Sequence, residues 1–381
     1  MTRMLEGSFW VESSSKAYPL HHICPYQGSF PPQLPAFFLN NLPSQVVLDP
    51  FAGRGTVLLE ASLRGKEVYG VDISPVALAL SEVKIHCATR AEVLEEIASL
   101  DLSGSAPEPP EEVAPFYHSD TWAQVYHLQQ SHLSPTLKAL ALGRLHGHSP
   151  GFFSVKTFNV LSVTGDSLQR AQDKHGVQEN YRKDIQTILD NAARKFIPLS
   201  GIRVPGKVFD SDARNIPLPD KSVDLIITSP PFLDVIDYAQ VNWLRLWFLQ
   251  KQDPPDTFIT SEQGYLDFLR GVLRELGRVL KPDGTIVFEV GPVKRNLRLY
   301  DVVMEAAKGI FRVELVIRHT FGGGVPKISR AMHGGQETTT MSNDCVVLRH
   351  KDSDDLNIDW QELPKQDSGV TSLEDLFGLE G

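Results

Sequence analysis

Val46-Val47-Leu48-Asp49-Pro50-Phe51-Ala52-Gly53-Arg54-Gly55 decides the fold of this 381-residue chain. Val46 to Leu48 is a short apolar, β-branched run, the pattern of a buried strand in a parallel sheet. Asp49-Pro50 stops it, and Gly53 and Gly55 let the backbone approach a ligand because no Cβ intervenes. Thr56 to Leu63 then opens a helix with one apolar face. The next strand, Glu67 to Val71, ends at Asp72, 19 residues past Gly53. An acid at that spacing is placed to accept hydrogen bonds from ribose hydroxyls. The unit reads as the first half of a nucleotide-binding βαβ fold. Two glycines alone would equally describe an ordinary strand-to-helix turn.

The string from Asp49 to Thr56 departs from the dinucleotide fingerprint. It resembles the first motif of S-adenosylmethionine-dependent methyltransferases that act on exocyclic amines of nucleic-acid bases. The resemblance implies that Asp49, Pro50, Phe51, Ala52, Gly53, Gly55 and Thr56 belong to the cofactor site, with the glycine turn against the methionine part. Upstream, Pro25, Gly28, Pro31 and Pro32 make a shaped loop that by itself reads as packing. It is similar to the family's tenth motif, which implies cofactor contacts from Tyr26, Gly28, Phe30 and Pro31. The same comparison puts the adenine ring near Ile73, past the ribose acid Asp72, and its amino group at Asp212, with Ala213 beside it in the cofactor site and Asp210 as a competing acid.

Composition sets the bounds. A 41% hydrophobic content suffices for one large domain with an insertion, or for two. No apolar run is long enough to span a bilayer and no signal peptide is evident. Cys24, Cys87 and Cys345 show no pairing pattern, which fits free thiols in a reducing compartment. The net charge of −10 counts against a nucleic-acid partner until it is divided. Residues 351–381 hold nine acids and two lysines, hence −7, leaving −3 for the body. The tail reads as loosely ordered, with a short docking helix open at Val370 to Leu379. A near-neutral body can still bind DNA or RNA through a local basic stripe.

Residues 1–20 read as an irregular polar lead-in. Ser74 and Pro75 suit the N-cap and first position of a helix running to about His86. Residues 87–205 break the βα alternation and read as a mostly helical insertion. Helices are expected at Ala91–Leu100, Thr121–Gln130, Thr136–Leu145 and Tyr181–Phe196, with a proline-rich linker from Gly104 to Pro115. The insertion is the candidate target-recognition region, weighed against a structural cap. His146 and His148 invite a metal reading, but lack two further ligands at usable spacing, so no metal is expected. The sheet resumes at Lys207 to Ala213, and Val223 to Thr228 is a buried fourth strand.

That fourth strand delivers Thr228-Ser229-Pro230-Pro231-Phe232, the most specific string in the chain. Methyl transfer to an exocyclic amine is a direct displacement in which the cofactor brings the electrophile. The protein must align the nitrogen and free its lone pair. Ser229 and the Pro230 carbonyl can accept the amine hydrogens, Pro231 stiffens the turn, and Phe232 offers a face for a flipped base. In the family, Asp or Asn before Pro-Pro usually marks adenine N6, and Ser usually marks cytosine N4, so Ser229 leans to cytosine. The motif order departs from many cytosine-N4 enzymes, where the amine motif comes first. A C5 mechanism needs a cysteine nucleophile, and none follows the fourth strand.

Asp237 and Tyr238, opening an aromatic helix, stand close enough to border the target pocket. Lys281 to Gly284 reads as a helix stop and turn before a fifth strand at Thr285 to Val290. Strands at Arg312–Ile317 and Asp344–Leu348 would finish the sheet. Basic residues flank Gly322 to Gly324, and Lys327 and Arg330 are candidates for phosphate contacts, against a plain surface loop.

The expectation is an α/β, Rossmann-like methyltransferase sheet with helices on both faces. Residues 1–86 and 206–350 form its catalytic domain, 87–205 the insertion and 351–381 the tail. The resemblance covers residues 21–85 and 206–350. It implies a cytoplasmic, S-adenosylmethionine-dependent DNA aminomethyltransferase of a bacterial or phage modification system, with cytosine N4 ahead of adenine N6. An RNA base amine is the alternative target, and a non-catalytic recognition subunit the alternative class.

Overall fold

The computed structural model describes residues 3–7, 17–147, 150–155, 157, 164, 166, 168, 182–231, 237–252, 261–291, 299–320, 342–356 and 358. Its strands, in chain order, are β1 (Arg3–Gly7), β2 (Val46–Asp49), β3 (Glu67–Asp72), β4 (His86–Cys87), β5 (Ile202–Arg203), β6 (Gly206–Asp210), β7 (Val223–Thr228), β8 (Leu280–Val290), β9 (Phe311–Thr320) and β10 (Ser342–His350). The helices are α1 (Gln33–Asn41), α2 (Thr56–Ser62), α3 (Pro75–Ile85), α4 (Arg90–Ser99), α5 (Ser119–Gln130), α6 (Pro135–Leu142), α7 (Ile185–Phe196), α8 (Tyr238–Leu249), α9 (Glu262–Val279) and α10 (Leu299–Ala307).

An eight-stranded sheet runs β1-β9-β10-β8-β7-β2-β3-β6. Only β10 is antiparallel to its neighbours, β8 and β9. From β2 the order runs one way through β3 to β6 and the other way through β7 to β8. The switch point therefore lies between β2 and β7, where open α/β sheets bind ligands beyond the carboxyl ends of their strands. Alternate residues of the central strands face opposite sides. Val47, Leu225, Ile227 and Val287 pack with Leu34 and Phe38 of α1 and Leu58 of α2. Leu48, Ile226, Ile286 and Phe288 pack with Leu269, Leu273 and Leu276 of α9 and Val303 of α10. The helices on both faces and the Rossmann-like class expected from the sequence are therefore present.

A third apolar cluster joins α3 and α8 to the helices between residues 90 and 196. It holds Leu80, Val93, Phe116, Val125, Leu140, Leu189 and Phe248. α4 begins with a capping box between Thr89 and Glu92. α7 starts at Ile185, later than the sequence suggests, with Asp184 accepting from the Thr187 N–H.

Some expectations are corrected. Residues 3–7 are not irregular: β1 pairs in parallel with β9, Arg3 opposite Leu315. This pairing is made by backbone groups at a sheet edge, which side-chain periodicity does not announce. The stretch 87–205 is not free of strand, since Cys87 of β4 pairs with Ile202 of β5. The helix does stop where expected, at Val279, but Leu280 to Gly284 belongs to β8, with a register shift against β7, rather than to a turn before it. The proposed helix at Val370 to Leu379 lies outside the described residues.

Candidate active site

Asp49 ends β2 at the switch point and is buried. Its Oδ1 accepts from Thr228 Oγ1 at 2.7 Å and from the Phe51 N–H at 3.1 Å, which ties the first and fourth parallel-strand motifs together. Burial, reinforced by the charge of Asp72, pushes its carboxyl up to about 7. Asp72, at the end of β3, binds the glycine turn itself. Its Oδ2 accepts from the Gly53 N–H at 2.8 Å, and its Oδ1 from the Ile73 and Ser74 N–H groups, both at 2.9 Å. Ser74 does occupy the N-cap of α3, with Pro75 following, but its side chain makes no capping bond.

These elements wall a cavity of about 130 Å³. Tyr26 and Gly28 come from the proline-rich loop, and Pro50, Phe51 and Gly53 from the turn after β2. Asp72 and Ile73 follow β3, Asp212 and Ala213 follow β6, and Ser229 and Pro231 follow β7. Tyr238 comes from the first turn of α8. The chain thus brings most of the expected cofactor residues into one chamber with the amine motif. Asp210 is not among the lining residues. Asp212 is already held by Arg214, whose Nε and Nη2 donate to it at 2.9 and 2.6 Å, and that guanidinium holds its carboxyl below the usual range.

Other expected residues do not line the cavity. Phe30 and Ala52 sit in the apolar cluster under α1 and α2. Pro31 is buried, with its carbonyl accepting from the Leu34 N–H. Gly55 caps α2 at φ +77°, pressed so close to α3 that a Cβ would lie 2.6 Å from Lys84 Cγ. Thr56 is buried and accepts from Arg54 Nε at 3.2 Å. Pro230 is buried behind the turn. Asp237 is exposed and caps α8, accepting from the Gln240 N–H at 2.9 Å. Phe232, Lys327 and Arg330 lie outside the described residues, as does His148. His146 is buried against Phe116, and burial with the nearby Arg245 charge lowers its imidazole to about 3. Among the described residues no group of three His, Cys, Asp or Glu side chains is arranged to hold a metal. No described helix is long and apolar enough to cross a membrane.

Further residues belong to the site, among them Ser74 and Ser211 in the cavity wall. Glu289, on β8, is 3% exposed and accepts from Ser229 Oγ at 2.9 Å and from Asn343 Nδ2 of β10. Its signal was a single acid inside the apolar run Ile286 to Val290. Phe268 of α9 lines the cavity beside Phe51, with ring centroids 5.9 Å apart. Nothing in the sequence separates it from the other apolar residues of that helix. A second, open groove lies at the far end of α8, lined by Gln129 and Gln130 of α5 and by Trp247, Gln250, Lys251 and Gln252.

Comparison with known proteins bears on this arrangement. The family model for N6/N4 methyltransferases, described as DNA methylase, matches residues 223–371. The Type II methyltransferase M.MjaII of Methanocaldococcus jannaschii is 41% identical over 69 residues, 17% of this chain and 13% of that protein. The Type II methyltransferase M.MjaVI of the same organism is 26% identical over 173 residues, 44% of this chain and 78% of that protein. The chain thus spans only a small part of the first relative and most of the second. Among solved structures, TrmN from Thermus thermophilus aligns over 87% of this chain and 52% of that one, at 15% identity and a TM-score of 0.36. The resemblance to the N4/N6 DNA methyltransferases holds.

Proposed function

We propose that this relative of the N6/N4 DNA methylases transfers a methyl group from S-adenosylmethionine to an exocyclic amine of a base in DNA, with cytosine N4 ahead of adenine N6. The observation that carries this reading is the shared chamber. Ser229, backed by the buried Glu289, opens into the same cavity as the Gly53 turn and Asp72.

The residues present fit the cofactor. Gly53 stands at φ +51°, where a side chain would be strained and its Cβ would touch Tyr26 Cε1 at 3.6 Å. Asp72 and Asp212 offer carboxylates for hydroxyl and amine groups, and Phe51, Phe268 and Tyr26 offer apolar faces. A cationic ligand above the turn would draw the buried Asp49 carboxyl, otherwise raised to about 7, toward its ionised form. When bound, S-adenosylmethionine supplies the electrophilic methyl group. The chain orients the acceptor. Because Ser229 Oγ donates to Glu289, its lone pairs remain for an N–H of the target amine. The nitrogen that gains the methyl group must lose a proton. Ser229 Oγ takes that proton while passing its own to Glu289 along the 2.9 Å bond.

Cytosine N4 is favoured by Ser229 in place of an acid or amide before Pro230-Pro231. The helical stretch 87–205 is the proposed target-recognition region. Its groove with the end of α8 supports this: Gln129 is held by the Trp247 carbonyl and by Gln130, while the amides of Gln250 and Gln252 beside them can both donate to and accept from base edges.

The test is to incubate the protein with labelled S-adenosylmethionine and separate DNA and RNA pools, then identify the methylated nucleoside. N4-methyldeoxycytidine is expected. N6-methyldeoxyadenosine would refute the inference from Ser229 and keep the mechanism. Label only in RNA would move the substrate class. Cofactor binding without transfer would leave a recognition subunit.

A further inference from the structure

The loop bearing Tyr26 is gripped by buried basic side chains that pair with no carboxylate among the described residues. Lys84 of α3 donates to the Leu20 carbonyl at 2.5 Å. Arg144, after α6, donates to the Ile23 carbonyl at 3.5 Å. Arg245 of α8 donates to the Pro25 carbonyl at 2.9 Å. Arg245 is 2% exposed, forms no ion pair among the described residues, and leaves its Nε without a partner. A buried, unpaired guanidinium is costly, and an apolar side chain of similar size would fill the same space without that cost.

What Arg245 does with its other nitrogen explains why a cation stands there. Its Nη1 donates to Asn242 Oδ1 at 2.7 Å, and Asn242 Nδ2 donates to the Tyr238 carbonyl at 3.1 Å. A continuous chain of hydrogen bonds therefore runs from the Tyr238 backbone through Asn242 and Arg245 to the Pro25 carbonyl, next to Tyr26. The rings of Tyr26 and Tyr238 stack with centroids 6.3 Å apart at 25°, and both line the cavity. One tyrosine belongs to the loop against the proposed cofactor, the other to the helix that borders the proposed target. A guanidinium can bind two acceptors in fixed directions at once, which neither a lysine nor an apolar residue can do.

Resting on the reading of this cavity as a methyltransferase site, we propose that Arg245 is a positioning residue. With Asn242 it holds Tyr26 against Tyr238, and so sets the wall of the pocket shared by cofactor and target amine. It touches neither ligand and acts through the two tyrosines.

The experiment measures S-adenosylmethionine affinity by calorimetry, and KM and kcat for methyl transfer, in wild type, Arg245→Met, Arg245→Lys and Asn242→Ala. Melting and near-ultraviolet circular dichroism check folding. Arg245→Met should weaken cofactor binding and raise its KM by about tenfold, the worth of one charge-assisted hydrogen bond. kcat should change less than KM. Arg245→Lys should recover roughly a third to a half of that loss, since lysine reaches one acceptor. Asn242→Ala leaves the Pro25 bond in place and should weaken binding by about threefold, so the inference stays testable if Arg245→Met does not fold. Folded variants that bind as wild type does, within about twofold, would overturn the inference. Wild-type protein that binds no S-adenosylmethionine would instead overturn the reading of the site itself.

Discussion

Replacing Glu289 by Gln changes one atom of the buried contact behind Ser229 and keeps its volume. Glu289 accepts from Ser229 Oγ–H at 2.9 Å and from Asn343 Nδ2. A hydrogen bond to an ionised group is worth about 1.5–3 kcal/mol and a neutral one about 0.5–1.5. The weaker acceptor alone thus takes roughly 1–1.5 kcal/mol from the transition state, about tenfold in rate, and a glutamine amide cannot take the proton that Ser229 passes on, a loss of about a hundredfold or more. A glutamine also brings its own donor, so one of the two partners must turn. If the amide N–H₂ faces Ser229, the hydroxyl proton is driven into the cavity. The target amine then meets a donor where an acceptor stood, and the loss grows further. Glu289 does not line the cavity, so cofactor affinity should hold within about twofold. Single-turnover methyl transfer with calorimetric cofactor binding measures both. A folded Glu289→Gln variant with an unchanged transfer rate would refute the role given to the Ser229–Glu289 pair.

Three other outcomes follow from the packing and charges. Asp49→Asn keeps both bonds that land on Oδ1. Its folded carboxyl is raised from 3.8 to about 7, so the penalty for ionising it grows from about pH 4 upward and is complete above about pH 7. The variant should therefore melt higher than wild type at pH 8 and alike near pH 4, while binding S-adenosylmethionine more weakly; an equal melting difference at both values would sink the assignment. Gly55→Ala adds a Cβ 2.6 Å from Lys84 Cγ and 3.1 Å from Ser81 Cα, at φ +77°. Strain of about 1–2 kcal/mol plus overpacking of about 1–3 should lower the melting temperature by several degrees, seen by calorimetry. Thr89→Ala removes the capping box of α4 and should cost about 1 kcal/mol in urea unfolding, with methyl transfer unchanged.

Much of the site was legible because its residues lie at the ends of strands, where short strings carry both the stop and the chemistry. Asp72 ends β3, Ser229 directly follows β7, and Gly53 and Asp212 lie in the turns just after β2 and β6, and parallel strands deliver their carboxyl ends to one edge of the sheet. Glu289 and Phe268 were harder. Each sits inside an otherwise apolar element, where periodicity reports which face is buried and not which neighbour it meets. The strand at residues 3–7 was missed because its pairing with β9 is made by the backbone across more than 300 residues of chain.

The sequence by itself determined the βαβ turn, the order of the motifs and the residues that could carry methyl transfer, because local propensity and spacing are properties of short segments. Only the tertiary structure decided which of these residues share a chamber. It set Glu289 behind Ser229, joined Asp49 to Thr228, and linked Tyr26 to Tyr238 through Arg245 and Asn242. Those pairings join residues as far as 220 positions apart. They exist because burial makes each polar group find a partner, and which partner is in reach is settled by how the strands and helices pack.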